Sequence, residues 1–382
     1  MHGGNTARGL LNGLRGDWKG MLIMSKTTNC VNLYSRRELG RLALAAVPAA
    51  GLMARPEFLF GFESKPNSTW GGVPFGIFAP YRFGPEATDL EGALKALVKL
   101  GVSNTELTAG VVEHYLGAPQ AAAGAGRGAA PAGRGGGNAP TESPAPGAIA
   151  CVGGVPGPIP AAGGGGGGTK TPEELLAWRT SVPMSKFADV RKKFHDAGVS
   201  IYAFRTTLTL LQSDAEYDYW FNAAKAVGAS QITMELPGDP AQSKRIGDAA
   251  AQHGVNIGYH LHTAANMTAW DGAMAQSPRN GIQPDIGHYV AGIGGSPVPF
   301  IEAHHARIFS MHLKDRKKVC HDRSENMPWG EGDTPIREVL QTLKKNKWAI
   351  PAGVEFEYLV PSGSTWDAEL AKCVKYAKDA LA

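Results

Sequence analysis

The chain has 382 residues, 43% of them hydrophobic and 19% charged, which is apolar bulk enough for one large core. Its formal charge of +4 is an N-terminal matter: residues 1–41 hold seven Lys/Arg against two Asp/Glu, a net of +5, so residues 42–382 carry −1. That excludes a nucleic-acid footprint for the main body. The three cysteines beyond the leader, Cys151, Cys320 and Cys373, are too few and too far apart for a disulfide framework or a zinc knuckle.

Chain order begins with a segment to set aside before any fold reasoning. Ser35-Arg36-Arg37-Glu38-Leu39-Gly40-Arg41 resembles a twin-arginine export motif, and Leu42–Met53 is an uncharged, Ala- and Leu-rich run. That run is shorter than the roughly 20 apolar residues a membrane-spanning helix needs. Residues 1–54 are therefore expected to be a twin-arginine signal peptide. A periplasmic destination follows, with no membrane attachment once the peptide is removed.

Beyond it, strands and helices alternate from Trp70 to the C-terminus. Strands are predicted at Val73–Phe78, Ser103–Leu107, Val199–Phe204, Gln231–Glu235, Val255–His260, Ile282–Asp285, Ile308–Leu313 and Ala352–Glu357. Helices are predicted at Glu86–Leu100, Ser185–Ala197, Ser213–Val227, Asp239–His253, Thr268–Ala275, Pro299–His305, Thr334–Lys345 and Thr365–Ala380, from apolar spacing and caps such as Ser213 with Gly228. The strands are Ile-, Val- and Phe-rich with little alternation, as parallel strands covered on both faces should be. Eight such units favour a (β/α)8 TIM barrel over an open doubly wound sheet. The barrel is expected over 70–382, interrupted by a low-complexity insertion over 118–171. Between Ala121 and Lys170, 37 of 50 residues are Gly, Ala or Pro, too little bulk for a core. Cys151–Pro160 is the one stretch there with an alternative reading as a folded island. No strand leads into Gly163–Gly168 and no Lys-Ser/Thr follows, which excludes a phosphate-binding loop.

Five of the later strands end in a side chain that can bind a metal or move a proton: Glu235, His260, Asp285, His312 and Glu355, spaced 25, 25, 27 and 43 residues apart. In a barrel those ends converge on one face, where active sites sit. Glu235, Asp285, His312 and Glu355 together would suit one divalent ion, with Mn²⁺ favoured over Mg²⁺, Co²⁺ or Zn²⁺. Glu106 lies in the second predicted strand, Ser103–Leu107, and is a candidate substrate contact.

Gly258-Tyr259-His260-Leu261-His262, Asp285-Ile286-Gly287-His288, Met311-His312-Leu313-Lys314-Asp315, Gly330-Glu331-Gly332-Asp333 and Val354-Glu355-Phe356-Glu357 resemble, in order, motifs of the xylose-isomerase-like barrel superfamily. They are most similar to its sugar phosphate isomerase/epimerase branch. The resemblance implies a divalent metal held by Glu, Asp, His and Glu, which carry over to Glu235, Asp285, His312 and Glu355. The chain departs from the pattern at one point. The first Glu of the epimerases lies one strand before the Asp, where this chain has His260. Either Glu235 reaches across from two strands away, the favoured assignment, or His260 takes its place as ligand. Glu235, Glu355 and His260 are the implied proton-transfer groups, and His262, His288, Lys314 and Glu357 the implied substrate contacts.

The resemblance further implies chemistry beside a carbonyl: a metal-stabilised enediolate is reprotonated to epimerise or isomerise, or loses a β-substituent to dehydrate or cleave. An exported sugar isomerase or epimerase acting on an unphosphorylated (keto-)sugar is the expectation. A keto-sugar dehydratase or keto-glycoside lyase is the runner-up, and a non-catalytic periplasmic sugar-binding barrel is a third reading. The partners expected are a small carbohydrate and a second copy of the chain, not nucleic acid. An endonuclease of the same superfamily is disfavoured by the charge and by the need for a larger His and Asp ligand set.

Overall fold

The computed structural model describes residues 65–119, 170–318 and 324–382, together with the backbone of 149–152 and 155–158. The expected signal peptide over 1–54 and most of the 118–171 insertion lie outside the described residues. Within the insertion, Ile149–Val152 and Val155–Pro158 pair antiparallel, overlapping the Cys151–Pro160 stretch that had the alternative reading as a folded island.

Eight strands run parallel: β1 Val73–Ala79, β2 Asn104–Thr108, β3 Ser200–Arg205, β4 Gln231–Glu235, β5 Asn256–Leu261, β6 Asn280–Pro284, β7 Met311–Leu313 and β8 Ala352–Val354. Their hydrogen-bonded order is β7-β8-β1-β2-β3-β4-β5-β6. Single parallel bridges Ile282↔Ile308 and Asp285↔His312 link β6 to β7 and bring the ring to near closure. This is the expected TIM barrel. The strands carry few polar residues because both faces are covered, the inner by other strands and the outer by helices. Phe75, Ile77, Ile232, Ile257, Ile282, Leu313 and Val354 are all buried.

The helices are α1 Leu90–Lys99, α2 Ala109–Tyr115, α3 Glu173–Ser181, α4 Met184–Asp196, α5 Asp214–Val227, α6 Pro240–His253, α7 Asp271–Gln276, α8 Ile286–Ile293, α9 Val298–His304, α10 Ile336–Asn346 and α11 Trp366–Leu381. Local chemistry sets their ends. Ser213 and Glu216 form a reciprocal capping box at α5, and Gly228 closes that helix at φ 88°. Asp239 caps α6, with Pro240 at its first position. In α10 the buried residues Ile336, Val339, Leu340 and Leu343 repeat at helical spacing.

Three helices were not predicted: α2, α3 and α8. The last matters most. Its sequence, Ile-Gly-His-Tyr-Val-Ala-Gly-Ile, is apolar nearly all round and contains two glycines, which cost roughly 1 kcal/mol each in a helix interior. Tertiary packing outweighs that cost. A Cβ on Gly287 would stand 2.6 Å from the Lys314 carbonyl oxygen, and one on Gly292 would stand 2.2 Å from that of Thr263. The glycines let α8 lie directly against the strand-end loops that carry the site.

Candidate metal centre and active site

Asp285 is the residue that starts α8. Its Oδ1 accepts the His288 backbone N–H at 2.8 Å as an N-cap, which fixes the carboxylate and turns Oδ2 inward. Oδ2 is buried and accepts no hydrogen bond; Lys314 Nζ lies 3.2 Å away as an ion-pair neighbour without hydrogen-bond geometry. Around that oxygen stand His260 from β5, His312 from β7 and Glu355 just past β8. One ligand-type atom from each of the four lies within 4.8 Å of the others, and all four residues are buried. His260 is 1% exposed, and its Nδ1 also has no hydrogen-bond partner.

Buried polar atoms without partners are costly. Two of them on neighbouring members of one buried cluster of imidazoles and carboxylates fit the divalent ion that the donor types imply. Burial pushes the Asp285 carboxyl up to about 6, with Lys314 opposing. Burial also lowers the His260 imidazole well below its ordinary value. Both shifts reflect polar groups enclosed in a dry site.

Glu235, the favoured first ligand, stands outside this quartet. It is the register partner of His260 across β4 and β5, but its side chain is 53% exposed at the rim. There Arg205 binds it at 2.6 Å, and His262 Nε2 lies 3.9 Å away. The arginine holds the carboxylate out of the barrel, and His260 fills the place beneath. The geometry thus supports the alternative set of His260, Asp285, His312 and Glu355.

His312 is held on three sides. Glu355 Oε2 lies 2.9 Å from Nδ1 and Glu106 Oε2 lies 2.8 Å from Nε2, while Phe78 stacks on the ring at 5.5 Å. Burial alone would depress this imidazole, but Glu355 and Glu106 outweigh it and raise it to about 10. Burial works against ionisation of Glu355 too, yet Lys314 and His312 hold its carboxyl well below the ordinary range.

Lys314 is buried with its ammonium 2.6 Å from Glu357, 3.0 Å from Glu355 and 2.9 Å from His288 Nε2. Burial opposes its charge, and Asp285, Glu355 and Glu357 together raise it well above the usual lysine value. Tyr81 Oη donates to Glu357 Oε1 at 2.8 Å, continuing the chain toward the rim. Of the expected substrate contacts, Lys314, His288 and Glu357 therefore adjoin the quartet, and His262 sits half-exposed above it, 4.6 Å from the His288 ring. A second group of three imidazoles, His260, His262 and His288, also clusters. There the two ring nitrogens of His288 already face Lys314 at 2.9 Å and Arg316 Nη1 at 2.6 Å, which disfavours a cation.

Glu106 is a different case from the other expected substrate contacts. Two residues short of the end of β2, it points into the barrel and is fully buried. Thr233 Oγ1 donates to its Oε1 at 2.6 Å and Gln283 Nε2 to its Oε2 at 2.6 Å, so its oxygens face protein groups rather than the mouth. Arg205 and Phe78 are the site residues that strand patterning did not single out; an Arg closing an apolar strand was the available signal.

The motif pair around Lys314-Asp315 and Gly330–Asp333 also has a physical reason. Asp315 Oδ2 accepts the backbone N–H of Gly330 at 2.8 Å and of Gly332 at 3.0 Å, and Oδ1 accepts that of Thr334 at 3.1 Å. One carboxylate thus anchors the loop over Gly330–Thr334 to the strand end carrying His312 and Lys314.

The sequence profile of the xylose isomerase-like TIM barrel family matches residues 174–376, more than half of the chain. Similar solved structures include a xylose isomerase domain protein from Planctomyces limnophilus, 13% identical, with a TM-score of 0.50 over 81% of this chain and 96% of that one. Another, from Alicyclobacillus acidocaldarius, is 13% identical with a TM-score of 0.50 over 81% and 99%. A protein described as a probable 3-DHS dehydratase, AsbF, from Bacillus anthracis is 11% identical with a TM-score of 0.51 over 80% and 99%. At such identities the likeness speaks for the fold alone. No curated protein matches the sequence. All four residues of the buried quartet fall inside the matched stretch, and the chain belongs to the xylose isomerase-like TIM barrel family.

Proposed function

We propose that this protein is an exported, divalent-metal-dependent enzyme of proton transfer beside the carbonyl of an unphosphorylated keto-sugar, an isomerase or epimerase. The observation that carries the reading is the buried quartet His260, Asp285, His312 and Glu355, with unpartnered atoms on the first and second. Two imidazoles and two carboxylates suit Mn²⁺, Co²⁺ or Zn²⁺ better than Mg²⁺, which favours oxygen ligands. When bound, such an ion polarises a substrate carbonyl and its neighbouring hydroxyl and acidifies the adjacent C–H.

The chain's own groups supply the rest. Glu235 closes β4 and Glu357 follows β8, strands on opposite sides of the eight-membered ring. A proton taken by one carboxylate and supplied from the other side inverts a carbon; returned to the neighbouring carbon, it isomerises the sugar. His262 beside Glu235 and Tyr81 beside Glu357 are placed to hydrogen-bond sugar oxygens and to pass protons to these carboxylates, while the buried Lys314 holds Glu357 in place.

Two observations support an unphosphorylated substrate. Arg205, Lys314 and Arg82 at the mouth are each engaged by protein oxygens. The Arg36-Arg37 leader would also carry the enzyme away from cytosolic sugar phosphates. Arg36→Lys with Arg37→Lys should trap it in the cytoplasm; unchanged periplasmic recovery on fractionation would remove the twin-arginine route from the reading, and a parent protein confined to the cytoplasm would remove export. The decisive test incubates metal-loaded protein in D₂O with keto-sugars and their phosphates, following exchange at the α-carbon. Exchange confined to the phosphates would overturn the substrate class. Exchange accompanied by loss of a β-substituent would make the enzyme a lyase. No exchange with any would leave a binding protein.

A further inference from the structure

A fully buried carboxylate in the middle of a barrel needs a reason, because taking it out of water costs several kcal/mol unless strong partners offset the loss. Glu106 has four neighbours from four other strands or strand ends: Thr233 on β4, Gln283 on β6, His312 on β7 and Arg205 on β3, the last at 3.8 Å. Gln283 is fixed in turn by Arg205 Nη1, which donates to its Oε1 at 3.3 Å, and by Ser310 Oγ, 3.2 Å from its Nε2. The carboxylate is thus aimed, and what it is aimed at is the far nitrogen of one candidate ligand.

The two nitrogens of His312 have different surroundings. Nδ1 faces Glu355, a member of the quartet, and Nε2 faces Glu106, which is not. A neutral imidazole carries one N–H and one lone pair, and the partner of one nitrogen decides the state of the other. Glu106 can only accept when ionised, so with an ion on the Nδ1 side it would hold the one remaining ring proton on Nε2.

We propose that Glu106 is a positioning residue that acts through His312: it selects the Nε2–H tautomer and orients the ring, with Phe78 on its face, so that Nδ1 ligates a divalent ion. The inference rests on the metal-dependent reading above. Outer partners of this kind typically contribute 10–100-fold in metal affinity.

The test is Co²⁺ binding to the purified full chain, read as a dissociation constant by chelator competition and as the visible absorption of the bound ion. Glu106→Gln keeps the shape but offers an amide N–H as readily as an oxygen. It should weaken Co²⁺ by 10-fold or more and alter the absorption bands, with a melting temperature near that of the parent. Glu106→Asp should recover part of the loss. Thr233→Val removes another hydrogen bond from the same buried network without touching His312, and should leave affinity and bands as they are. If Glu106→Gln binds Co²⁺ within about twofold of the parent, or Thr233→Val weakens it equally, the positioning role is wrong while the metal centre stands. If the parent itself binds no Co²⁺, Mn²⁺ or Zn²⁺, the metal-dependent reading falls and takes this inference with it.

Discussion

Arg179 offers the sharpest test of what holds the segment after the insertion to the barrel. On α3 it donates Nε and Nη2 to the two oxygens of Glu113 at 2.7 and 3.0 Å, with Glu216 at 3.9 Å. Its guanidinium lies 4.4 Å over the Trp220 ring, and both side chains of the main pair are less than 10% exposed. Arg179→Met keeps most of the apolar stem and removes only the charge. Glu113 would then keep one donor, Tyr219 Oη at 2.8 Å, for a buried carboxylate. Breaking a buried pair from one side costs about 3–5 kcal/mol. The compact unit from Glu63 to Ala382 unfolds with an entropy of roughly 0.7 kcal/mol per kelvin at ~2.1 cal/mol/K per residue, so the melting temperature should fall by about 4–7 °C. Circular dichroism melts of the metal-free protein measure it. Adding Glu113→Gln should recover part of the loss, because a neutral amide needs no cation. A drop under about 1 °C for Arg179→Met, or a double variant worse than the single, would refute the account of this cluster as a buried ion pair.

Two further outcomes follow from the site. A Cβ at residue 332 would stand 1.9 Å from Asp315 Oδ1 and 3.0 Å from the Arg316 amide nitrogen, so Gly332→Ala should destabilise by about 1–3 kcal/mol; a urea midpoint equal to the parent's would show that the Asp315 cradle is slack. In metal titrations His260→Gln should lose more than the roughly 10–100-fold of an outer partner, and Glu235→Gln should stay within a few-fold; the opposite ranking would return Glu235 to the place of first ligand.

The barrel was legible because parallel strands buried on both faces announce themselves by composition, and their regular spacing leaves little else to build. The strand pattern also pointed to Asp285, His312 and Glu355 as candidates: the first and last stand just past β6 and β8, and His312 lies within β7. The choice between Glu235 and His260 was not. The two are register partners on adjacent strands, so sequence puts them at one level. Which turns inward depends on Arg205, three strands of context away from Asp285, binding the glutamate at the rim. Glu106 lies two residues before the end of β2, a layer below the strand end, and its oxygens meet Thr233 and Gln283 from strands that sequence does not place beside it. Helix α8 was hidden because its glycines serve close packing against Thr263 and Lys314, contacts that only the folded chain contains.

The division of labour within the barrel follows the chain. The ligand quartet comes from β5 to β8, all after the Gly/Ala/Pro insertion, whereas two of the three groups that clamp His312, Phe78 from β1 and Glu106 from β2, come from before it. A chain beginning at Lys170 would keep every candidate ligand and the whole family match, yet lose the groups that orient one of those ligands. It would also lose β1, the strand that lies between β8 and β2 in the ring. The geometry of the candidate metal site is therefore a property of the closed ring rather than of the motif-bearing half. Sequence motifs confined to residues 258–357 point to the site but do not by themselves contain it.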